Sequence, residues 1–198
     1  MNSGFFGRWG LLGGLHRLFG LAYARIHTQV VAFVHRVEIG ENVTIMPGAL
    51  VRPGAGGKIT LGDDVLIHSG ARLLAYGGTI AIGSGSSVNP GCILYGHGGL
   101  VIGKSVLIAA GTIIIPSNHN ISADREIRGQ GSTRKGISIG SDVWLGANVT
   151  VLDGAEICDG AIIAAGGVVT GRRIEEMAIY GGVPARRIGQ REVQRAEG

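Results

Sequence analysis

The sequence predicts an all-β fold, a three-sided parallel β-solenoid of about six coils. Three observations predict it. A branched aliphatic recurs every sixth residue, as Ile39, Ile45, Val51, then Leu61, Ile67, Leu73, then Ile82, Val88, Leu94, then Ile102, Ile108, Ile114. After one long interruption the beat resumes with Ile139, Leu145, Val151, Ile157, Ile163 and Val169. All of the insertions that break the beat (Val51 to Leu61, Leu73 to Ile82, Leu94 to Ile102, Ile114 to Ile139) follow a third hexapeptide. Three short strands therefore make one triangular turn, and every extra residue emerges at the same corner. The composition agrees: 37 glycines, 5 prolines and 45% hydrophobic residues describe a packed aliphatic core with tight turns, not a low-complexity chain.

The chain of 198 residues reads as one domain with appendages, divided at 1–36, 37–174 and 175–198. Residues 1–37 contain no acidic residue, and Arg8, Arg17, Arg25 and Arg36 are spread among them. Phe5, Trp9, Leu12, Leu15, Phe19, Ala22, Ile26, Val30 and Phe33 advance by threes and fours, the period of an amphipathic helix starting after Gly14. No clean apolar stretch precedes a small-residue cleavage site, and charges recur too often for a membrane span. Two readings of this segment stay open: a helical cap on one end of the solenoid, or a basic face resting on an anionic membrane.

Within residues 37–174 small or aliphatic residues such as Val43, Ala49, Ser86, Thr112, Val149 and Ala161 stand two positions before the repeating aliphatics. Six coils at the usual strand spacing give a prism about 30 Å long. Gly40, Gly62, Gly83, Gly103 and Gly140 each follow a first-strand aliphatic, where a tight turn favours the absence of a side chain. Counting three on from each third strand stacks Gly54, Tyr76, His97 and Ser117 on one corner. Counting one on from each second strand stacks Met46, His68, Asn89, Ala109, Gly146 and Ala164 on another.

The interruption is residues 116–136, PSNHNISADREIRGQGSTRKG, a polar loop carrying His119. A regular frame broken once by a charged loop is where chemistry is expected. A histidine suits removal of a hydroxyl proton, since its ordinary pKa of about 6.5 lies near neutrality. The run from Asp124 to Arg128 with Arg134 and Lys135 reads either as a solvated loop or as a clasp between subunits. Asn89 reads as a substrate contact or an Asn-Pro-Gly turn former. His97, Tyr76 and Tyr95 read as the wall of an acceptor site or as corner packing, and His68 as an acceptor contact or an exposed turn residue. Trp144 reads as core or interface packing, or as part of the active-site region.

The net charge of +4 and pI near 9.4 suit a phosphate-bearing ligand. They do not indicate nucleic acid, because no Lys/Arg run interleaves with aromatics. Cys92 and Cys158 have neither metal nor redox spacing and read as two reduced thiols of a cytoplasmic protein.

The stretches IGKSVLIAAGTIIIPSNHN (102–120), IGSDVWLGANVTVLDGAEICDGAIIAAGGVVT (139–170) and YGGVPARRI (180–188), in that order, carry a resemblance. The chain resembles the hexapeptide-repeat acyltransferases, and within them the maltose/galactoside-type and surface-polysaccharide O-acetyltransferases. The resemblance covers about three quarters of the chain and implies a left-handed coil, a trimer, and acetyl-CoA held between adjacent prisms with no metal. It implies His119 as general base and Asn89 as acceptor-positioning residue. It implies Ala147 and Ala165 beside the pantetheine arm, and Thr170 and Arg186 near the nucleotide end; Trp144, read as part of the active-site region, and Arg187, standing in with Arg172 and Arg173 for basic residues the family carries elsewhere, are further expected cofactor contacts. His97, within YGHGGL, stands where sugar acetyltransferases often carry an acidic residue, which points away from maltose or galactoside. It favours a surface polysaccharide or its lipid-linked precursor as acceptor. Gly171 and Gly189 stand where basic residues are common in the family.

Alternatives within enzymes are a serine acetyltransferase and an antibiotic or amino-sugar acetyltransferase. Outside them stand a zinc hydrase built on His68, His97 and His119, and a purely structural solenoid. The hydrase lacks the pair of histidines five apart that its relatives carry.

Overall fold

A computed structural model describes residues 11–192. It is a parallel β-solenoid with a single long helix, Leu11–His35, at its N-terminal end. The first sheet has seven strands, from Glu38–Ile39 to Arg173–Ile174. The second has eight, from Thr44–Ile45 to Arg186–Gln190, and the third has six, from Leu50–Arg52 to Val168–Val169. Successive coils pair in parallel and in register, as in Leu66↔Ser87 and Ile67↔Val88.

The hexapeptide beat is the core. Every repeating aliphatic from Ile45 to Val169 is buried, and Ile39, at the open first coil, is partly buried against the rest. The residues two positions earlier also point inward, so each short strand contributes a pair. Polar members of this inner set are satisfied: the Ser86 hydroxyl donates to the Gly103 carbonyl at 3.0 Å, and that of Thr112 to the Gly146 carbonyl at 3.1 Å. Cys92 is buried among them, and burial pushes its thiol pKa up, as suits an unreactive core residue.

The glycine column after the first strands has a different cause from the one expected. None of these glycines has a positive φ. They are glycines because a Cβ at Gly83 would lie 2.6 Å from the Gly103 carbonyl, and one at Gly103 2.6 Å from the Gly140 carbonyl carbon. Close approach of coils, not turn conformation, excludes the side chain.

The two ends also differ from expectation. The segment expected as a tail from residue 175 first continues the solenoid. Ile174 stacks on Ile157 and Tyr180 on Ile163, giving a partial seventh coil. The strand Arg186–Gln190 then folds back antiparallel on Ala178–Gly181 and closes the edge of the second sheet. Residues 193–198 of that segment lie outside the described residues.

At the other end the helix begins at Leu11 and runs through Gly13 and Gly14. Phe5, Arg8 and Trp9 of the expected apolar and basic series lie outside the described residues, as do the side chains of Leu12, Leu15, Arg17 and Phe19. The helix rests on Thr44–Ile45 and Leu50–Arg52. Its Thr28 hydroxyl accepts the Ile45 N–H at 2.8 Å, and His27 Nδ1 lies 3.0 Å from the Ile45 carbonyl. These contacts satisfy a strand edge that would otherwise stand open.

Candidate active site

The third corner, where the third sheet passes to the first, carries the long loop and an aromatic cluster. Strands Arg72–Leu74 and Ile93–Tyr95 pair in register, which sets Tyr76 directly over His97. Their rings stack at 4.5 Å with 20° between planes. Tyr95 meets both edge-on, 5.1 Å from Tyr76 and 5.7 Å from His97. Tyr76 holds a φ of +49° in the position that Gly54 occupies one coil earlier. A tyrosine in the left-handed region is uncommon, and here it comes with a ring stacked on His97.

His97 Nδ1 is buried and has no hydrogen-bond partner among the described residues. Burial, and then the charge of Arg134, hold the His97 pKa below the usual histidine range. Burial, followed by neighbouring Tyr76, pushes the Tyr95 hydroxyl up. In sequence Arg134 is one charge among several in the long loop. Its place beside His97 follows from the register Leu100↔Ile137 counted back three residues, a signal the sequence did contain.

The pH dependence of stability follows from His97. An unfolded histidine titrates near about 6.5, above folded His97. As pH falls, the unfolded chain binds the proton first, so stability is lost from about 6.5 downward through the lower folded pKa. A His97→Phe variant, which keeps a ring against Tyr76, is expected to lose less stability than the wild type between about pH 7.5 and 5.5. Urea midpoints measure this, and parallel loss in both proteins would assign the effect to other groups.

His119 lies next along this corner. It stands in the two-residue strand Asn118–His119, paired antiparallel with Ser132–Thr133, and its side chain is exposed. Its ring makes no hydrogen bond among the described residues, whereas its backbone N–H donates to Asn118 Oδ1 at 3.0 Å. The loop tip is held internally by Gln130, whose Nε2 donates to the carbonyls of Ser122 at 2.7 Å and Arg125 at 2.9 Å. Nothing in sequence periodicity marks Gln130. Asp124 pairs locally with Arg125 at 3.7 Å, and Ile121 and Ile127 project from the loop exposed.

The second corner carries the other group. His68 and Asn89 occupy successive coils and are half-buried. Asn89 Nδ2 donates to the Ile108 carbonyl at 2.9 Å, so a turn role is filled, while Oδ1 has no partner among the described residues. From Asn89 this corner climbs past Ala109, Gly146 with Ala147, and Ala164 with Ala165. A Cβ on Gly181 would touch that of Ala164 at 3.3 Å. The named positions carry only small side chains, although the Ile188 side chain reaches the same place, with Cδ1 3.1 Å from the Cβ that Gly181 lacks. Above it, Arg187 is paired with Glu175 at 3.3 Å, whereas Arg186 reaches only the Ala185 carbonyl and has no carboxylate partner among the described residues. Thr170 is elsewhere, at the third corner after Val168–Val169. Trp144 is half-exposed on the outer face of the second sheet, in line with Leu107 and Ile162, and so is not core.

One chain thus does not unite the expected residues. His119, His97, Tyr76 and Tyr95 leave one corner; Asn89, His68, Ala147 and Ala165 leave another. His68 and His97 leave different corners, so a hydrase centre built on them would need two subunits, and among the described residues no group of three His, Cys, Asp or Glu is placed to hold a metal.

Comparison with known proteins agrees with this architecture. The family described as bacterial transferase hexapeptide (six repeats) matches residues 136–171. WbbJ of Escherichia coli (strain K12), whose name assigns it to lipopolysaccharide-biosynthesis O-acetyl transfer, is 33% identical over 143 residues. That match covers 66% of this chain and 70% of WbbJ. Rv3034c of Mycobacterium tuberculosis, an acetyltransferase by name, is 28% identical over 176 residues, 88% of this chain but 55% of Rv3034c. Among solved structures, a variant of the Bacillus cereus N-acyltransferase AntD, in complex with dTDP-4-amino-4,6-dideoxyglucose and coenzyme A, superposes with a TM-score of 0.74. The identity is 22%, covering 84% of this chain and 90% of AntD. The hexapeptide-repeat acetyltransferase VCA0836 of Vibrio cholerae gives a TM-score of 0.54 at 24% identity, covering 77% and 73%. At these identities the likeness concerns the fold alone. The relationship to WbbJ, the family match and the coil register together show that the chain belongs to the bacterial hexapeptide-repeat transferases, a family of acyl- and acetyltransferases.

Proposed function

We propose that this protein transfers an acetyl group from acetyl-CoA to a sugar hydroxyl of a bacterial surface polysaccharide or its precursor. The observation that carries the reading is His119, an exposed imidazole on the one long loop, beside a corner whose tyrosine presents an open ring face. Aromatic rings of this kind suit the apolar face of a sugar. The E. coli relative's name points to the same class of acceptor.

Acetyl-CoA supplies an already activated acyl group, so the protein's task is to align the acceptor and take its proton. His119 accepts the hydroxyl proton as the ester bond forms and returns it to the thiolate released when the thioester breaks. No acyl-enzyme is required. Asn89 helps to place the acceptor. The narrow strip of Ala109, Ala147 and Ala165 fits an extended pantetheine arm, and unpaired Arg186 fits a phosphate at its end. The half-exposed Trp144 stands on the donor side, and Thr170, at the third corner, joins it only across a subunit boundary.

This assignment needs more than one copy of the chain, since Asn89 and His119 leave different corners. A homotrimer with sites between subunits joins them. It would also cover Ile121, Ile127 and Trp144, which one chain leaves exposed.

A second reading has an observation behind it. AntD is named an N-acyltransferase and is bound to an amino sugar nucleotide, so an amine acceptor belongs in the same assay. Full-length protein incubated with acetyl-CoA and hydroxyl- and amino-sugar panels is expected to yield an ester, which, once separated from acetyl-CoA, is cleaved by alkaline hydroxylamine. A hydroxylamine-resistant product would be an amide and would favour the second reading. Coenzyme A alone is expected to raise the thermal midpoint, since ligand at 100 times its Kd stabilises by about 2.7 kcal/mol. No shift at about 1 mM coenzyme A would overturn the donor assignment and favour a structural solenoid.

A further inference from the structure

The N-terminal helix has two apolar faces, and the solenoid uses only one. Ala24 and Thr28 are buried on the coil and Val31 is partly buried there. Tyr23, Ile26, Val30, Phe33 and Val34 point away, with Phe33 87% exposed. At 3.6 residues per turn these five fall within an arc of about 100°, a continuous stripe. The regular apolar spacing that predicts the helix from sequence therefore marks, at Ile26, Val30 and Phe33, a face turned outward.

The helix that bears this stripe carries one sign of charge. No aspartate or glutamate precedes Glu38, and Arg25 and Arg36 flank the face. Where the helix ends, Val34, His35, Arg36, Arg52, Pro53 and Gly54 line a cavity of about 440 Å³ that contains no carboxylate. Arg25, Arg36 and Arg52 are in no ion pair among the described residues. Contact of this face with its own copy would oppose arginine to arginine. No described helix is long and apolar enough to cross a membrane.

We propose that this outer face docks the protein on an anionic phospholipid bilayer. Ile26, Val30 and Phe33 enter the boundary between headgroups and acyl chains, and Arg36 and Arg52 take lipid phosphates. The helix lies on the surface, held at a fixed attitude to the solenoid through Thr28 and His27.

Flotation of the full chain tests this, using vesicles of phosphatidylcholine alone and of phosphatidylcholine with phosphatidylglycerol at about 1:1. The wild type is expected to float with the anionic vesicles, to float poorly with the neutral ones, and to be released by salt. A Val30→Glu/Phe33→Glu variant and an Arg36→Glu/Arg52→Glu variant are each expected to lower the partition coefficient at least about tenfold. Circular dichroism and sedimentation of every variant accompany the assay. Failure of the wild type to float, or equal flotation of folded variants, overturns the proposal. So does a Val30→Glu/Phe33→Glu variant that changes oligomeric mass while binding vesicles normally, since the face would then be a contact between copies. Because vesicle binding is the readout, the outcome does not depend on the acyl transfer proposed above.

Discussion

Replacing His119 with alanine is expected to lower acetyl transfer by about 10²–10⁴-fold, the contribution of one positioned general base. The size of the effect follows from chemistry. A sugar hydroxyl is a poor nucleophile at neutral pH, and no other described side chain on that loop can take its proton at the same place. The loss is expected in kcat, with acceptor KM little changed, because binding of the sugar is assigned to Tyr76, Tyr95 and His97. Folding is expected to survive. The ring is exposed, makes no hydrogen bond among the described residues, and packs on no part of the core. Circular dichroism should therefore match the wild type. Turnover above a tenth of the wild-type value in the folded variant would remove His119 from the chemistry and leave only the architecture.

The second large effect is expected at Gly98, which no reading of the loop itself would select. A Cβ built there lies 2.1 Å from the Pro116 carbonyl oxygen and 3.2 Å from the backbone of Lys135. Pro116 and Lys135 are the two roots of the loop, and the obstructing atoms are main chain, which does not swing aside as a side chain would. A Gly98→Ala variant must push both roots outward. Overpacking of this kind costs about 1–3 kcal/mol, and a displacement near 1 Å at the base lowers turnover about 10²-fold. Gly129→Ala is the control, since nothing lies within 4 Å of the Cβ it would add. Wild-type melting temperature and turnover in Gly98→Ala would show that the loop's footing does not set the position of His119.

Much of this architecture could be counted from the chain. A period of six fixes which residue of every strand points inward, so Ile45 through Val169 were identifiable as core without coordinates. The same counting set Tyr76 over His97, because parallel in-register coils stack equivalent positions one strand spacing apart. It also contained the neighbour Arg134, provided the register was counted back from Ile137. Counting stopped short where the beat changed character. The partial seventh coil steps from Val169 to Ile174 and then to Tyr180, and an aromatic in place of an aliphatic hid it.

The helix shows the opposite case. Its three-and-four spacing is real, but periodicity gives no direction. Burial went to Ala24 and Thr28, whose small side chains let the helix approach the strand edge closely enough to accept the Ile45 N–H. Ile26, Val30 and Phe33 are too bulky for that approach and stand outside. Glycine was likewise legible as a column and not as a cause, since only the packed coils bring the Gly103 carbonyl to 2.6 Å from the place of a Cβ on Gly83.

The sequence by itself determined the repeat, the inward residues, the corner of every insertion and the candidate histidine, because a solenoid makes contacts between positions at nearly fixed separations. Only the tertiary structure decided which helix face meets the coil, that His97 Nδ1 is buried without a hydrogen-bond partner among the described residues, and that both roots of the loop pass close over Gly98. Each of these depends on distances across coils and corners, which a linear period does not encode.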